Sequence, residues 1–345
     1  MAGNRTMVGA VCGTVTGLAW GGMFVVAKSA YGRLDPFHLT AVRFLFAASI
    51  FCVLLLLVEG KGAFRLEGRA AGLWLLSTVG FAGFNFCTYV GLEHIPAQSS
   101  ALIMATMPLV TVLVMWARTR KAPPAVTLGL VVLALLGVAM VLGNGNPVRV
   151  LTGGLGYGGL LTLLGVVGWM TYTTGSAGYP GWSALRYTTL TCLLGTGSIL
   201  VITLVATLAG WIPDPGPVQY VRVWWQILYV VIAATSVATL TWNTAFRKLG
   251  PSNGVLFINL VPITAFVIQA FRGHRPTVYE GIGVALVLVA LFASNAYSRR
   301  RAAAEAARRG SVAAPVAASS GAGTAREADV VRVRAAGRGP DRRET

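Results

Sequence analysis

Negative charge is scarce. Eleven acids stand among 345 residues, against twenty-eight Lys and Arg. None lies in the middle third of a long apolar run; Asp35, Glu59, Glu67, Glu93, Asp214 and Glu280 all fall in connectors or at run ends. A carrier that passes protons through a carboxylate at mid-membrane therefore lacks that group. Facilitated diffusion stays open, as does proton linkage through Glu93, His94 or Glu280. Cysteine is also sparse. Cys12, Cys52, Cys87 and Cys192 have no paired spacing, so neither a disulfide framework nor a zinc site follows. His38, His94 and His274 are scattered, and no His-Glu zinc motif, paired-acid magnesium motif or P-loop appears. The sequence thus gives no metal site, no cofactor and no direct ATP drive. An integral membrane enzyme acting on a lipid or isoprenoid remains the alternative function, without a signature of its own, and a non-transporting membrane scaffold is a third.

Only 11% of residues are charged, against about 25% in a soluble domain. The chain is 55% hydrophobic with a mean hydropathy of +0.69. That composition places it in a bilayer. The net charge of +17 could suggest a nucleic-acid partner. But the basic residues lie between apolar runs and in residues 299–345, with no aromatic-basic interleaving, so nucleic acid is excluded as the reading.

A helix needs about 20 apolar residues to cross the hydrocarbon. Charges, glycines and prolines divide the chain into ten such runs, at 8–31, 37–58, 69–91, 96–116, 124–143, 153–175, 183–210, 223–246, 252–271 and 277–297. Trp20 and Lys28 stand where a cleavage site would be needed, so the first run reads as a retained helix. With the N-terminus inside, internal connectors hold twelve Lys and Arg and external ones five, which predicts both termini cytoplasmic in a multi-pass plasma-membrane protein. Arg272 and Arg275 go against that bias. The tail, rich in Ala, Arg, Gly and Ser, cannot bury enough surface to fold and is expected to be disordered, its first basic cluster facing anionic lipid.

The chain repeats itself. Ala41-Val42-Arg43-Phe44 corresponds to Ala184-Leu185-Arg186-Tyr187, Trp20 to Trp169, and Pro108 to Pro262, in one order. Each half holds five runs. A five-helix unit that starts inside ends outside, so its copy is inserted upside down. The expected fold is an all-α polytopic membrane protein, ten transmembrane helices in an inverted 5+5 repeat: 1–147, 148–298 and a tail of 299–345.

These stretches, with Trp20 to Lys28 and Pro108-Leu109, resemble the two repeats of EamA-type proteins of the drug/metabolite transporter superfamily, over about residues 10–297. The resemblance implies a secondary transporter of small solutes, often an exporter. Alternating access would expose a central cavity to each side in turn, for an amino acid, another metabolite or an amphipathic drug. Family members often carry Gly-Glu-Arg after the fourth and ninth helices; Arg120 and His274 replace that glutamate here.

Candidate residues follow from chemistry. Arg43 and Arg186, each read as about one-third of the way into a span, are candidates for charge recognition or gating, or for helix-end anchoring. Lys28 is a gating candidate that could pair with Asp35. Amides in hydrocarbon need partners, so Asn85, Asn243, Asn259 and Gln269 face the bundle interior; Asn85 and Asn259 are assigned to the cavity wall with Trp20, Phe24, Tyr89, Trp169, Tyr172 and Trp242. Pro108 and Pro262 are candidate hinges. Gly13, Gly17 and Gly21 form a close-packing ladder. Gly154-Leu155-Gly156-Tyr157-Gly158-Gly159 matches a dinucleotide fingerprint in form only, because no strand precedes it. The partners implied are a small-molecule substrate and the lipid bilayer, with protons as coupling ion and a homodimer left open.

Overall fold

The structure is a computed structural model that describes residues 2–150, 154–250 and 254–297, with 300, 301 and 304. Most of the tail lies outside the described residues. Among the described residues there is no strand. Met1–Phe292 form one compact unit and Ala293–Thr345 a second, whose described residues are helical.

Among the described residues ten longer helical segments follow one another, besides the short helix Pro217–Arg222: α1 (Ala2–Ala30), α2 (Pro36–Glu59), α3 (Ala70–His94), α4 (Ala97–Ala105 and Met107–Thr119), α5 (Ala125–Leu142), α6 (Gly154–Gly175), α7 (Ala184–Leu208), α8 (Trp224–Leu249), α9 (Leu256–Phe271) and α10 (Val278–Tyr297). Seven are long and apolar enough to cross a membrane, and α4 makes an eighth if its bent halves are one span. Among the described residues α9 is a shorter apolar helix, and α6 is not one of the seven. The structure therefore establishes a polytopic membrane protein without itself fixing ten crossings.

Helix directions can be read from contacts at the two ends. At one end, the near end, the start of α1 meets the end of α8 (Gly9 against Leu249), and the start of α7 meets the connector after α2 (Arg186 to Glu67). At the far end, the end of α1 reaches the start of α4 (Lys28 to the Ile95 carbonyl), and the start of α6 lies against the end of α3 (Gly158 against Gly91). So α1 runs near to far and α6 runs far to near.

Packing explains where the small residues fall. A Cβ on Gly158 would stand 2.8 Å from the Gly91 carbonyl, and one on Gly91 would stand 2.6 Å from the Gly158 carbonyl. The α3–α6 crossing therefore brings backbone to backbone, which only glycine allows. This is the structural use of the false dinucleotide fingerprint. The ladder on α1 serves the same end against α9: a Cβ on Gly13 would enter the Phe257 ring and one on Gly17 would meet Leu260.

Two irregularities interrupt the helices. Both α3 and α8 contain a π turn, at Thr78–Gly83 and Ile232–Val237. The two are separated by the same 154 residues that separate Pro108 from Pro262. In α8 the carbonyls freed by the wider turn find side chains: Thr235 Oγ1 donates to Val230 O at 2.7 Å and Ser236 Oγ to Val231 O at 2.8 Å. Such turns displace the helix axis and often accompany function. Helix α4 bends by 50° at Thr106. Pro108 stands just past that break, where it opens the second half without costing an interior hydrogen bond. Pro262 follows the 3-10 turn Val255–Asn259 at the head of α9.

Candidate functional site

A chain of aromatic rings runs through the interior. Trp20 of α1 meets Trp169 of α6 edge-on, ring centroids 5.5 Å apart, and Trp242 of α8 at 5.3 Å. Trp169 continues to Tyr172 at 5.1 Å, and to Phe81 and Phe84 of α3. Tyr172 stacks on Tyr187 at 5.3 Å. The sequence correspondence of Trp20 and Trp169 is thus a physical contact. Phe24, one turn beyond Trp20, is fully buried but makes no ring pair among the described contacts.

The indole N–H groups distinguish these tryptophans. Trp20 Nε1 donates to Ala234 O, inside the α8 π turn, at 2.9 Å. Trp169 Nε1 and Trp242 Nε1 are buried and have no partner. A buried donor left unpaired costs about 1–3 kcal/mol, so two in one ring cluster require an explanation.

A polar network lies beside the rings. Arg43 of α2 is 3% exposed. Its Nε donates to Thr235 Oγ1, and its Nη1 donates to Asn85 Oδ1 at 2.9 Å and to the Tyr89 hydroxyl. Its guanidinium also lies 5.0 Å from the Phe44 ring centroid. Arg43 therefore ties α2 to α3 and α8. Asn85 completes itself through Nδ2 to Phe81 O at 2.7 Å. Asn243 Nδ2 donates to Thr188 Oγ1 at 2.6 Å and to the Tyr172 hydroxyl at 3.3 Å. Asn259 joins neither group; its Oδ1 is buried and unpaired at the head of α9.

Arg186 departs from the expected depth. It sits in the first turn of α7, because Ser183 caps that helix by accepting from Arg186 N at 2.9 Å. There it belongs to a near-end latch. Its Nη2 donates to Glu67 Oε1 at 2.7 Å and to Arg65 O at 2.6 Å, and its guanidinium lies 4.2 Å from the Trp182 ring centroid. Trp182 Nε1 donates to Glu67 at 3.1 Å, Ser183 Oγ to Glu59, Arg247 to Trp182 O, and Arg69 to Gly178 O at 3.1 Å. The Arg186 hydrogen bond, then that of Trp182, holds the Glu67 carboxyl below its ordinary range. The two matching arginines thus occupy different environments, one in the interior and one at the bundle's edge.

Lys28 does not pair with Asp35. Its ammonium donates to Ile95 O, while Asp35 caps α2 through Phe37 N and His38 N and holds His38 Nδ1 at 2.6 Å. Sequence reasoning missed the far-end polar cluster. Gln269 Nε2 donates to Gln98 Oε1 at 3.2 Å, Gln98 Nε2 reaches Glu280 Oε1 at 3.4 Å, and His274 Nε2 lies 3.0 Å from Glu280 Oε2. The signal was available in Thr277-Val278-Tyr279-Glu280, a capping box that places Glu280 in the first turn of α10; its two reciprocal bonds are present, at 2.8 and 3.2 Å. Among the described residues no group of three or more His, Cys, Asp or Glu is assembled for a metal.

A helical chain with apolar crossings, an interior ring cluster and buried polar groups that hydrogen-bond across helices is a polytopic membrane protein. It belongs to the EamA-like transporter family, whose profile matches it twice, over residues 7–143 and 156–296. Among relatives, YrdR of Bacillus subtilis (strain 168), described as an uncharacterized transporter, is 31% identical over 304 residues, covering 87% of this chain and 95% of that protein. YyaM of the same organism, described likewise, is 27% identical and covers 81% of this chain and 90% of its own. One crystal structure shares the fold at a TM-score of 0.61 and 21% identity, across 86% of this chain and 98% of the other. The chain is a membrane transporter by family.

Proposed function

We propose that the protein is a secondary transporter working by alternating access. Its ten helices would form two five-helix halves, residues 1–147 and 148–298, inserted in opposite senses. The opposite directions of α1 and α6, the paired π turns and the double family match support this reading. The near end is cytoplasmic by the Lys/Arg bias, and transport is outward. The substrate sits at the Trp20–Trp169–Trp242 cluster, where the halves meet, lined also by Phe24, Tyr172 and, beside Arg43, by Asn85 and Tyr89. Asn259 supplies an acceptor from α9, and Pro108 and Pro262 stand at the breaks about which α4 and α9 would flex.

One observation carries the proposal: two buried indole N–H groups without partners stand in one ring cluster, with the unpaired Asn259 Oδ1 on α9. They suit a cargo that offers an acceptor, such as a carbonyl or carboxylate, on an apolar body. In this reading the near-end latch, whose bonds are formed here, closes that end while the opposite end opens to the cargo. Reconstitution in liposomes with a metabolite panel tests the proposal. Counterflow of an amphipathic acceptor-bearing solute, weakened by Trp169→Phe, supports it. Absence of counterflow for every solute that stabilises the protein in a thermal-shift screen refutes it.

A further inference from the structure

At the far end a second pocket opens, of about 450 Å³. It lies between the end of α1, the start of α4 and the end of α9 with its following turn. That volume falls in the range of small-molecule sites, about 300–1,000 Å³. Lys28, Arg272 and His274 line it, together with the Gln269 amide, and Val25 and Ala97 give it apolar wall.

The charge on this wall is unbalanced. Among the described residues no acid lines the pocket. Glu280 is tied to it through His274, and its oxygens are already engaged. Oε2 accepts from Thr277 N at 2.8 Å and meets His274 Nε2 at 3.0 Å, while Oε1 faces Gln98 Nε2 and His274. Glu280 is 8% exposed and serves as the cap of α10, so its charge is spent on His274, Gln98 and the cap. Among the described residues Lys28 donates to one backbone carbonyl, and Arg272 makes no side-chain hydrogen bond or ion pair. Two cations, one near the end of α1 and one just past the end of α9, thus line one concavity, and among the described residues no acid lines it with them.

We propose that this pocket is a binding site for an oxyanion group, a carboxylate or phosphate carried by a small molecule, held between the Lys28 ammonium and the Arg272 guanidinium with Gln269 as a neutral donor. Arg272 offers a planar fork that can take both oxygens of such a group. The site lies at the far-end helix termini, away from the tryptophan cluster, and its existence does not depend on the transport reading. Equilibrium binding needs no turnover, so the two readings fail separately.

Full-length protein in phosphatidylcholine nanodiscs would be titrated calorimetrically with acetate, benzoate, glutamate and inorganic phosphate, and with benzamide as the neutral match of benzoate. At least one anion is expected to bind, benzamide not, with affinity falling as salt rises. Arg272→Gln and Lys28→Gln should each weaken binding about tenfold, the scale of one charge-assisted contact. Arg275→Gln, a neighbouring cation that does not line the pocket, should leave affinity within a factor of about two. Arg272 is exposed, so its removal does not threaten folding. A second arm adds phosphatidylglycerol to the nanodiscs. Competition with the free anion there would identify a lipid headgroup as an alternative source of the same chemistry. If no anion binds and no headgroup competes or is retained, or if Arg272→Gln and Arg275→Gln behave alike, the proposal is wrong.

Discussion

Arg43 Nη1 donates to Asn85 Oδ1 at 2.9 Å, and through that bond and its companions one side chain joins α2, α3 and α8 in the interior. The first and second halves are thereby coupled, since Thr235 belongs to the second. Lysine keeps the charge but loses the fork, so it cannot reach Thr235, Asn85 and Tyr89 together. Hydrogen bonds inside membranes average about 0.6 kcal/mol and reach about 1.7. Arg43→Lys should therefore destabilise the protein by about 1–3 kcal/mol, seen as a lower Tm in detergent and a lower folded yield. An unchanged Tm with a specific loss of cargo affinity would instead make Arg43 a substrate ligand.

The α3–α6 crossing gives a second expectation. Gly158→Ala places a methyl 2.8 Å from the Gly91 carbonyl, and no flexible side chain can yield there because the obstacle is backbone. Overpacking of this kind costs about 1–3 kcal/mol. Gly62→Ala, in open space on an exposed turn, is the control and should cost far less. Thermal unfolding of both variants in one detergent makes the comparison.

These two sites show what the sequence reveals and what it hides. Hydropathy places most of the long helices within a few residues of their observed bounds, because burial in lipid is read run by run, but it misses the short helix Pro217–Arg222 and the early start of α1. The Trp20–Trp169 contact was legible because duplication preserved both rings. The environment of Arg186 was not. Its depth depended on where Ser183 starts α7, a local capping choice that hydropathy does not see. The break in α4 falls at Thr106, two residues before the proline expected to cause it. The far-end pocket was hidden because its residues come from three helices distant in sequence. Only its capping box left a local trace.

The tryptophans separate structure from binding within one residue type. Trp20→Phe removes the indole donor to Ala234 O, a carbonyl inside the α8 π turn. It should cost about 1–3 kcal/mol of stability. Trp169→Phe and Trp242→Phe remove donors that have no partner, so they should leave Tm nearly unchanged or raise it. If those donors serve the cargo, the same two variants lower its affinity by about tenfold. Equal destabilisation by all three would show that the unpaired indoles are filled within the protein and not by substrate.

The near-end latch has a pH dependence whose sign follows from Glu67. Its carboxyl is held below the ordinary range by Arg186 and Trp182. A depressed carboxylate stabilises the state that holds it at pH values above the free carboxyl's pKa, about 4.3. That contribution is lost only as the pH falls through the lower, latched value. The latch should therefore be intact throughout neutral pH and release in acid. Gly62 and Gly181 flank it on exposed turns with open space around each, so Gly62→Cys and Gly181→Cys can carry spin labels without disturbing packing. In a background lacking the four native cysteines, the label separation at pH 7 should be short and narrow. Glu67→Gln should raise the long-separation population roughly two- to fivefold, the range expected of an exposed ion pair. The variant should also lose most of the acid response that the parent shows. An acid response undiminished by Glu67→Gln would move the latch's control to another group.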